Sequence, residues 1–356
     1  MFQTTLFKFL LAPFAMLYGV GVNIRNFLYK IQLLKSVRFD VPVISVGNLS
    51  VGGAGKTPHI EYLIRLLKEY LNVATLSRGY NRQTTGFLPV EVSHDATQVG
   101  DEPLQFKRKY PDVFVTVAEN RAFAIPQIMG LQPATQTVLL DDAFQHRAVT
   151  PGLNILLTEY AHPYTDDYLL PVGRLREWAS SATRAHIIIV TKCPPQLSTE
   201  QRDTFLDKLH PQPEQKIYFS YYQYNFIPYY LFNAQYGAPL DYKLDVLLVC
   251  AIARTDYLVE HLKSQVNSVR ILEYADHHFF TKSDLGQIKA NFDAIEGTNK
   301  IILTTEKDAM RLELHRDFLI QNQLPLFVLP IEVAFHFDEK ANFDHSIKQF
   351  LLHFKG

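Results

Sequence analysis

Val41-Pro-Val-Ile-Ser-Val-Gly-Asn-Leu-Ser-Val-Gly-Gly-Ala-Gly-Lys-Thr57 decides how this chain is read. Its first part is a β-branched run that ends in Gly47-Asn48, and Ile60, Leu63, Ile64 and Leu67 then recur at i, i+3, i+4, i+7. The order is therefore strand, glycine-rich loop, amphipathic helix. Glycines in the loop let backbone N–H groups turn toward a polyphosphate, Lys56 reaches its β and γ groups, and Thr57 can hold magnesium. The helix aims its N-terminus at the same anion. Ser50, Val51, Gly52, Gly53, Ala54, Gly55, Lys56 and Thr57 form the candidate nucleotide-binding set, although strict P-loop spacing wants Gly where Ser50 stands.

Outward from this loop the chain alternates strands and helices. Strand-like runs at Val73 to Leu76, Val113 to Val117, Val138 to Leu140, Ile155 to Leu157 and Ile187 to Thr191 are separated by segments long enough for crossover helices. Such spacing implies an α/β fold, a P-loop NTPase-like, mostly parallel sheet with helices on both faces. Ligands in such sheets bind beyond the carboxyl ends of the strands, so Val138-Leu-Leu-Asp-Asp142 supplies the second half of a nucleotide site, a buried strand delivering Asp141 to the metal. Together the two motifs indicate ATP or GTP handled with Mg²⁺. A Tyr- and Pro-rich stretch without helical period follows, and then a second, smaller α/β block with strands at Val246 to Cys250, Ile301 to Thr304 and Leu326 to Leu329. The expected organisation is an N-terminal helical segment (1–38), a P-loop kinase domain (39–212), an extended connector (213–240) and a C-terminal α/β domain (241–356).

Thirty-five Lys and Arg against 36 Asp and Glu leave a net charge of -1, which argues against a uniformly basic nucleic-acid binder. Charged residues at 20% with 47% apolar exclude a disordered chain, and two cysteines, Cys193 and Cys250, build neither a disulfide framework nor a four-cysteine zinc site. The N-terminus departs from this balance. No acidic residue precedes Asp40, while Lys8, Arg25, Lys30, Lys35 and Arg38 are all cationic. Leu6 to Val22 is almost wholly apolar but at the lower limit for spanning a bilayer, and Ile24, Phe27, Leu28, Ile31 and Leu34 follow at helical spacing. Two readings remain open: an interfacial helix offering its cations to anionic head groups, or a helical hairpin packed on the protein's own core.

A set of motifs then acquires meaning as a group. Ser77-Arg-Gly-Tyr80, Val99-Gly-Asp-Glu-Pro103, Asp141-Asp-Ala-Phe-Gln-His146, Leu169-Leu-Pro-Val-Gly-Arg-Leu-Arg-Glu177, Asp276-His277 and Thr304-Thr-Glu-Lys-Asp-Ala309, in this order, resemble the tetraacyldisaccharide 4'-kinase family of lipid A biosynthesis. That family's phosphate loop carries Ser at the position of Ser50. Ala143, Trp178 and Ala251 depart from the residues usual there, glycine, proline and glycine respectively.

The resemblance implies a reaction: ATP phosphorylates the 4'-hydroxyl of an acylated glucosamine disaccharide 1-phosphate at the cytoplasmic face of the inner membrane of a Gram-negative-type bacterium. It implies the anionic membrane surface and the lipid as partners, with neither nucleic acid nor an obligate protein partner expected. Phosphoryl transfer is mostly positioning plus charge neutralisation, so Lys56 is expected on the phosphates, and Thr57, Asp141 and Glu177 on magnesium. By analogy with the family, Asp101 is the base that takes the hydroxyl proton and His277 its partner; read from the residues alone, Asp101 could equally be a turn residue before Pro103. Arg121 and Arg176 are candidates for the transferring phosphate or the lipid's 1-phosphate, or else surface ion pairs. Arg78, Glu102, Asp142, Gln145 and His146 stand at family motif positions without individual roles. His277 next to His278 also suggests a metal pair, or a solvated or core histidine. The rival function is a P-loop GTPase or ATPase of the SIMIBI type, acting as a membrane-associated switch or metallochaperone. Guanine recognition usually needs Lys-x-Asp after a late strand, and Thr191-Lys-Cys-Pro194 ends in Pro. A nicotinamide-binding Rossmann fold fails for want of Gly-x-Gly-x-x-Gly after the first strand.

Overall fold

The computed structural model describes residues 5–224 and 227–355. Two sheets carry the chain. The first has nine strands: β1 (Val43–Asn48), β2 (Val73–Ser77), β3 (Leu88–Pro89), β4 (Phe114–Val117), β5 (Thr137–Asp141), β6 (Leu153–Glu159), β7 (Ile187–Thr191), β8 (Lys216–Gln223) and, far along the chain, Glu332–Phe335. They lie in the order Glu332–Phe335, β8, β7, β6, β1, β5, β2, β4, β3, parallel throughout except for the two edge strands. Alternate residues serve opposite faces, and both faces are covered. Ile44, Val46, Leu139, Ile155 and Leu157 pack under helix Lys56–Leu67, while Val43, Val138 and Leu140 pack against helix Arg121–Leu131. This is why the central strands read as continuous apolar runs.

The second sheet adds β9 (Tyr229–Tyr230), β10 (Asn233–Gly237), β11 (Asp245–Cys250), β12 (Ser268–Glu273), β13 (Lys300–Thr305) and β14 (Leu326–Leu329), ordered β10-β9-β14-β13-β11-β12 with β11 to β14 parallel. The stretch expected as a connector serves both sheets, since β8 pairs with β7 in the first and β9 with β14 in the second. The chain's last elements do not stay with the second sheet. Glu332–Phe335, hereafter β15, pairs antiparallel with β8, and helix Lys340–Leu352 inserts Phe343 and Ile347 beside Tyr62, Tyr218 and Phe335 of the first core. Aromatic packing decides this return: the Phe335 and Phe343 rings stack at 4.7 Å, and Tyr62 meets both edge-on.

The N-terminal segment is one helix, Thr5–Lys30, and not a hairpin folded on the core. Phe9, Leu10, Phe14, Met16, Leu17, Ile24 and Phe27 are exposed along it. Among the described residues no helix is long and apolar enough to cross a membrane. Contacts with the first sheet's loops hold it in place. A Cβ on Gly19 would come within 2.6 Å of the Trp178 ring, so glycine permits the close approach. Nearby, the Tyr18 hydroxyl donates to the Arg176 carbonyl at 2.9 Å and Arg25 to the Gln145 carbonyl at 2.7 Å.

Candidate active site

The carboxyl ends of both parallel sheets face a single cleft of about 540 Å³. From the first sheet come the loops after β1, β2, β5 and β7; from the second come those after β11, β12 and β13. The loop after β1 turns through Gly52 (φ 110°) and Gly55 (φ 85°), and Gly55 caps the helix without offering a side chain to its first N–H groups. Those donors are left for an anion. Tyr222 of β8 lies against Gly55 so closely that a Cβ there would collide with its hydroxyl.

Lys56 donates to Asn48 Oδ1 at 3.1 Å and lies 3.7 Å from Asp142. Arg176 completes this corner, reaching Asp142 at 2.9 and 3.2 Å and Asn48 Oδ1 at 2.6 Å. Burial opposes ionisation of Asp142, but Lys56 and Arg176 outweigh it and hold the carboxyl well below its usual range. Asp141 behaves oppositely. Burial, then the Asp142 charge, push it up to about 6, and its Oδ1 is buried without a hydrogen-bond partner. A buried carboxylate oxygen with nothing to bind, beside a phosphate loop ending in Thr57, suits a divalent cation. Arg121 is buried beside it with NH2 3.5 Å from the Asp141 carbonyl and its Nε unpaired, and desolvation lowers its pKa.

At the other end of the cleft, His277 Nδ1 lies 3.2 Å from Asp101 Oδ2, with Arg311 NH1 on the same oxygen at 3.3 Å. Asp101 heads helix Asp101–Lys109 of the first sheet, whereas His277 and Arg311 belong to the second, so the pair bridges the two lobes. His277 has a left-handed backbone (φ 60°), and Tyr80 lies against its ring with centroids 4.7 Å apart. Asp142 (φ 47°) and Lys192 (φ 54°) are also left-handed, so three cleft loops carry backbone strain at non-glycine residues. Burial opposes ionisation of Asp101, but hydrogen bonds from Glu102 and His277 prevail and keep its carboxyl far below normal; burial and the Asp101 charge push Glu102 the other way.

Val51 to Thr57, Arg78, Glu102, Arg121, Asp141, Asp142, Gln145, His146, Arg176 and His277 all line the cleft. Three expected site residues do not. Ser50 bridges to Leu175 instead, and Asp101 is buried behind His277. Glu177, expected as a magnesium ligand, is buried outside the cleft lining: its Oε2 accepts from Arg184 at 2.6 Å, while its Oε1, 3.7 Å from Arg25, has no hydrogen-bond partner, as for Asp141 Oδ1. His278 parts from His277: its ring stacks on Tyr274 and its Nε2 meets Asp284 at 2.9 Å, so the two form no metal pair. Ala143 and Ala251 are not left-handed, so alanine fits where glycine is usual. Lys192, Tyr222, Tyr257 and Lys307 line the cleft and carried no role in the sequence reading. The Thr304-Thr-Glu-Lys-Asp-Ala309 motif held a signal for Lys307, and Thr191-Lys-Cys-Pro194 contains Lys192.

His59, in the first turn of helix Lys56–Leu67, is fully enclosed between the Gly55 carbonyl (2.7 Å) and the Ser220 hydroxyl (3.1 Å). Burial lowers its pKa from 6.5 to about 4, the Gly55 carbonyl opposing. The unfolded chain therefore binds the extra proton between these values. Its contribution is intact above pH 6.5 and is lost as pH falls toward 4, by roughly 3 kcal/mol in all. Urea unfolding at pH 7 and pH 4.5 should show a larger acid loss in the parent than in His59→Gln; equal losses would contradict the assignment.

Comparison with known proteins converges on one family. The family described as tetraacyldisaccharide-1-P 4'-kinase (LpxK) matches residues 7–352. The tetraacyldisaccharide 4'-kinase of Flavobacterium johnsoniae is 44% identical over 348 residues, covering 97% of this chain and 98% of that one. That of Bacteroides fragilis is 42% identical over 344 residues, covering 95% and 91%. A crystal structure of LpxK from Aquifex aeolicus in complex with ATP superposes with a TM-score of 0.71 at 27% identity, covering 97% of this chain and 99% of that one.

Proposed function

The chain belongs to the tetraacyldisaccharide-1-P 4'-kinase family, and on that premise we propose how its residues carry out the reaction. The enzyme transfers the γ-phosphoryl group of ATP to the 4'-hydroxyl of the tetraacyl disaccharide 1-phosphate in lipid A biosynthesis. One observation carries the assignment of roles: a phosphate loop and an Asp–His pair open onto the same cleft from different lobes. Lys56, Arg121 and Arg176 neutralise the phosphates, and the free N–H groups of helix Lys56–Leu67 cradle them. Thr57 and Asp141 would hold Mg²⁺, which supplies further charge neutralisation when bound. Glu177, whose buried Oε1 is likewise unpartnered, remains a candidate third ligand for that ion.

The sugar hydroxyl oxygen forms the new bond to phosphorus, the bond to the β–γ bridging oxygen breaks, and ADP leaves. The hydroxyl proton goes to the Asp101–His277 pair. Since the imidazole lines the cleft and the carboxylate lies behind it, we assign the accepting atom to His277 Nε2, with Asp101 orienting the ring. Two lobes follow from the sheet pairing: residues 39–223 with 332–352, and 227–329. The test is ATP-dependent labelling of the tetraacyl disaccharide 1-phosphate, with an acceptor-free control. ATP hydrolysis that ignores the lipid would favour the switch reading instead.

Helix Thr5–Lys30 is the membrane contact in this proposal. Each CH₂ of the acyl chains exposed to water costs about 0.8 kcal/mol, so the enzyme must come to the lipid at the cytoplasmic face of the inner membrane. The helix offers an unpaired apolar face and no acidic residue to an anionic surface. Phe9→Ser, Phe14→Ser and Leu17→Ser combined should weaken sedimentation with anionic vesicles by roughly 30-fold or more, without unfolding, because all three side chains are exposed. Unchanged sedimentation would move the lipid contact elsewhere.

A further inference from the structure

Lys307 stands in the first turn of helix Glu306–Leu312, on the second lobe, and reaches across to the first. Its Nζ is 3.0 Å from His277 Nε2, 3.0 Å from Glu102 Oε1 and 3.9 Å from Asp276 Oδ1. Asp101, Glu102 and His277 are close enough together to resemble a metal site, but this ammonium already lies against two of the three. Burial works against its charge, yet Glu102 first, then Asp101 and Asp276, more than offset that and keep it protonated.

Hydrogen-bond chemistry then fixes the state of His277. An ammonium has donors and no acceptor, so the Nε2 it meets presents a lone pair. The carboxylate of Asp101 accepts, so the Nδ1 it meets carries the proton. Only the neutral, Nδ1-protonated ring satisfies both neighbours. Without Lys307, the groups left around Nε2 are the carboxyl groups of Glu102 at 3.9 Å and Asp276 at 4.0 Å, whose oxygens can accept from Nε2 but cannot donate to it once ionised, so they reward a protonated Nε2 where the ammonium rewards a lone pair. A ring protonated there has no lone pair for a hydroxyl proton. The other neighbours do not replace the ammonium: Arg311 is engaged with Asp101 and Asp308, and Tyr80 packs its ring against the imidazole at a tilt of 55°.

We propose that Lys307 is a positioning residue for phosphoryl transfer, holding His277 neutral with its Nε2 lone pair available and yielding to the acceptor hydroxyl by shifting onto Glu102. This rests on the assignment of the Asp101–His277 pair as proton acceptor. It also makes the competent histidine a product of both lobes, because Glu102 and Asp101 come from one and Lys307 and His277 from the other.

Steady-state transfer to the tetraacyl disaccharide 1-phosphate is compared for the parent, Lys307→Met and Lys307→Arg. The Met variant should lose roughly 10- to 100-fold in kcat with KM for ATP within about two-fold, since the contact serves proton transfer and not nucleotide binding. Arg keeps the charge and donors to both Nε2 and Glu102, and should recover most of that loss. In a His277→Ala background, Lys307→Met should cost less than about two-fold more. A Met variant within about two-fold of the parent, an Arg variant no better than Met, or losses that multiply with His277→Ala would each overturn the proposal. If His277→Ala is itself silent, the proton-acceptor assignment falls and takes the proposal with it. The Arg variant keeps the ion pair with Glu102, so it reads the contact even if loss of charge unsettles the fold.

Discussion

Lys56→Met is expected to lower phosphoryl transfer by roughly 10³-fold or more while leaving the melting temperature nearly unchanged. The first expectation follows from position. Lys56 opens the helix after the glycine loop and is the cation there that can follow the β and γ phosphates as charge moves between them. The second follows from its partners. Asn48 Oδ1, which accepts from Lys56 at 3.1 Å, also accepts from Arg176 at 2.6 Å, and Asp142 keeps both of its contacts to Arg176. Removing the ammonium therefore leaves no buried group without a partner. Lys56→Arg should rescue little, because a planar guanidinium does not occupy the place of a compact point charge. Transfer by the Met variant near the parental rate would refute the phosphate-loop assignment, and a large fall in melting temperature would refute the account of the local bonds.

The second large effect concerns the pair that joins the lobes. His277→Ala should lower kcat by about two to four decades with little change in ATP affinity, as should Asp101→Asn. Asn is chosen because Asp101 is buried against Arg311, and alanine would leave that guanidinium with only Asp308 and the Ala251 carbonyl. If the two residues act as one unit, the double variant should cost far less than the product of the single losses. Multiplying losses, or damage from His278→Ala with His277→Ala silent, would sink the pairing. The latter runs against the geometry, since His278 is turned away onto Tyr274 and Asp284.

The N-terminal helix has a link to this chemistry through the loops it touches. Tyr18 holds the carbonyl of Arg176, and Arg25 holds the carbonyl of Gln145 and approaches Glu177. Two of these three residues line the cleft. The helix therefore rests on the backbone of the nucleotide site as well as offering an apolar face outward.

What the sequence determined by itself was local. The glycines, Lys56 and Thr57 after a β-branched strand specify a phosphate loop, because the need for positive φ and free N–H groups is written in residue type and spacing. Apolar runs at the lengths of buried strands gave the parallel sheet, since β1, β5 and β6 are covered on both faces and need no alternation. The motif set led to the expectation, by resemblance, that Asp101 and His277 pair, and their side chains do meet at 3.2 Å. Tertiary structure decided everything that depends on what lies opposite. Glu177 is expected on magnesium by resemblance, and the structure sets Arg184 on its Oε2 and Arg25 near its Oε1, pairings not visible in one dimension. The helix at 340–352 has an apolar face that would suit either sheet; the aromatic cluster of Tyr62, Tyr218 and Phe335 selects the first. Lys307 sits in a recognisable motif, yet its partners Glu102 and His277 are distant in sequence and on different elements. Periodicity reports which face of an element is apolar, whereas the partners of a polar group are set by how the elements pack, and the chemistry of this cleft is made almost wholly of such pairs.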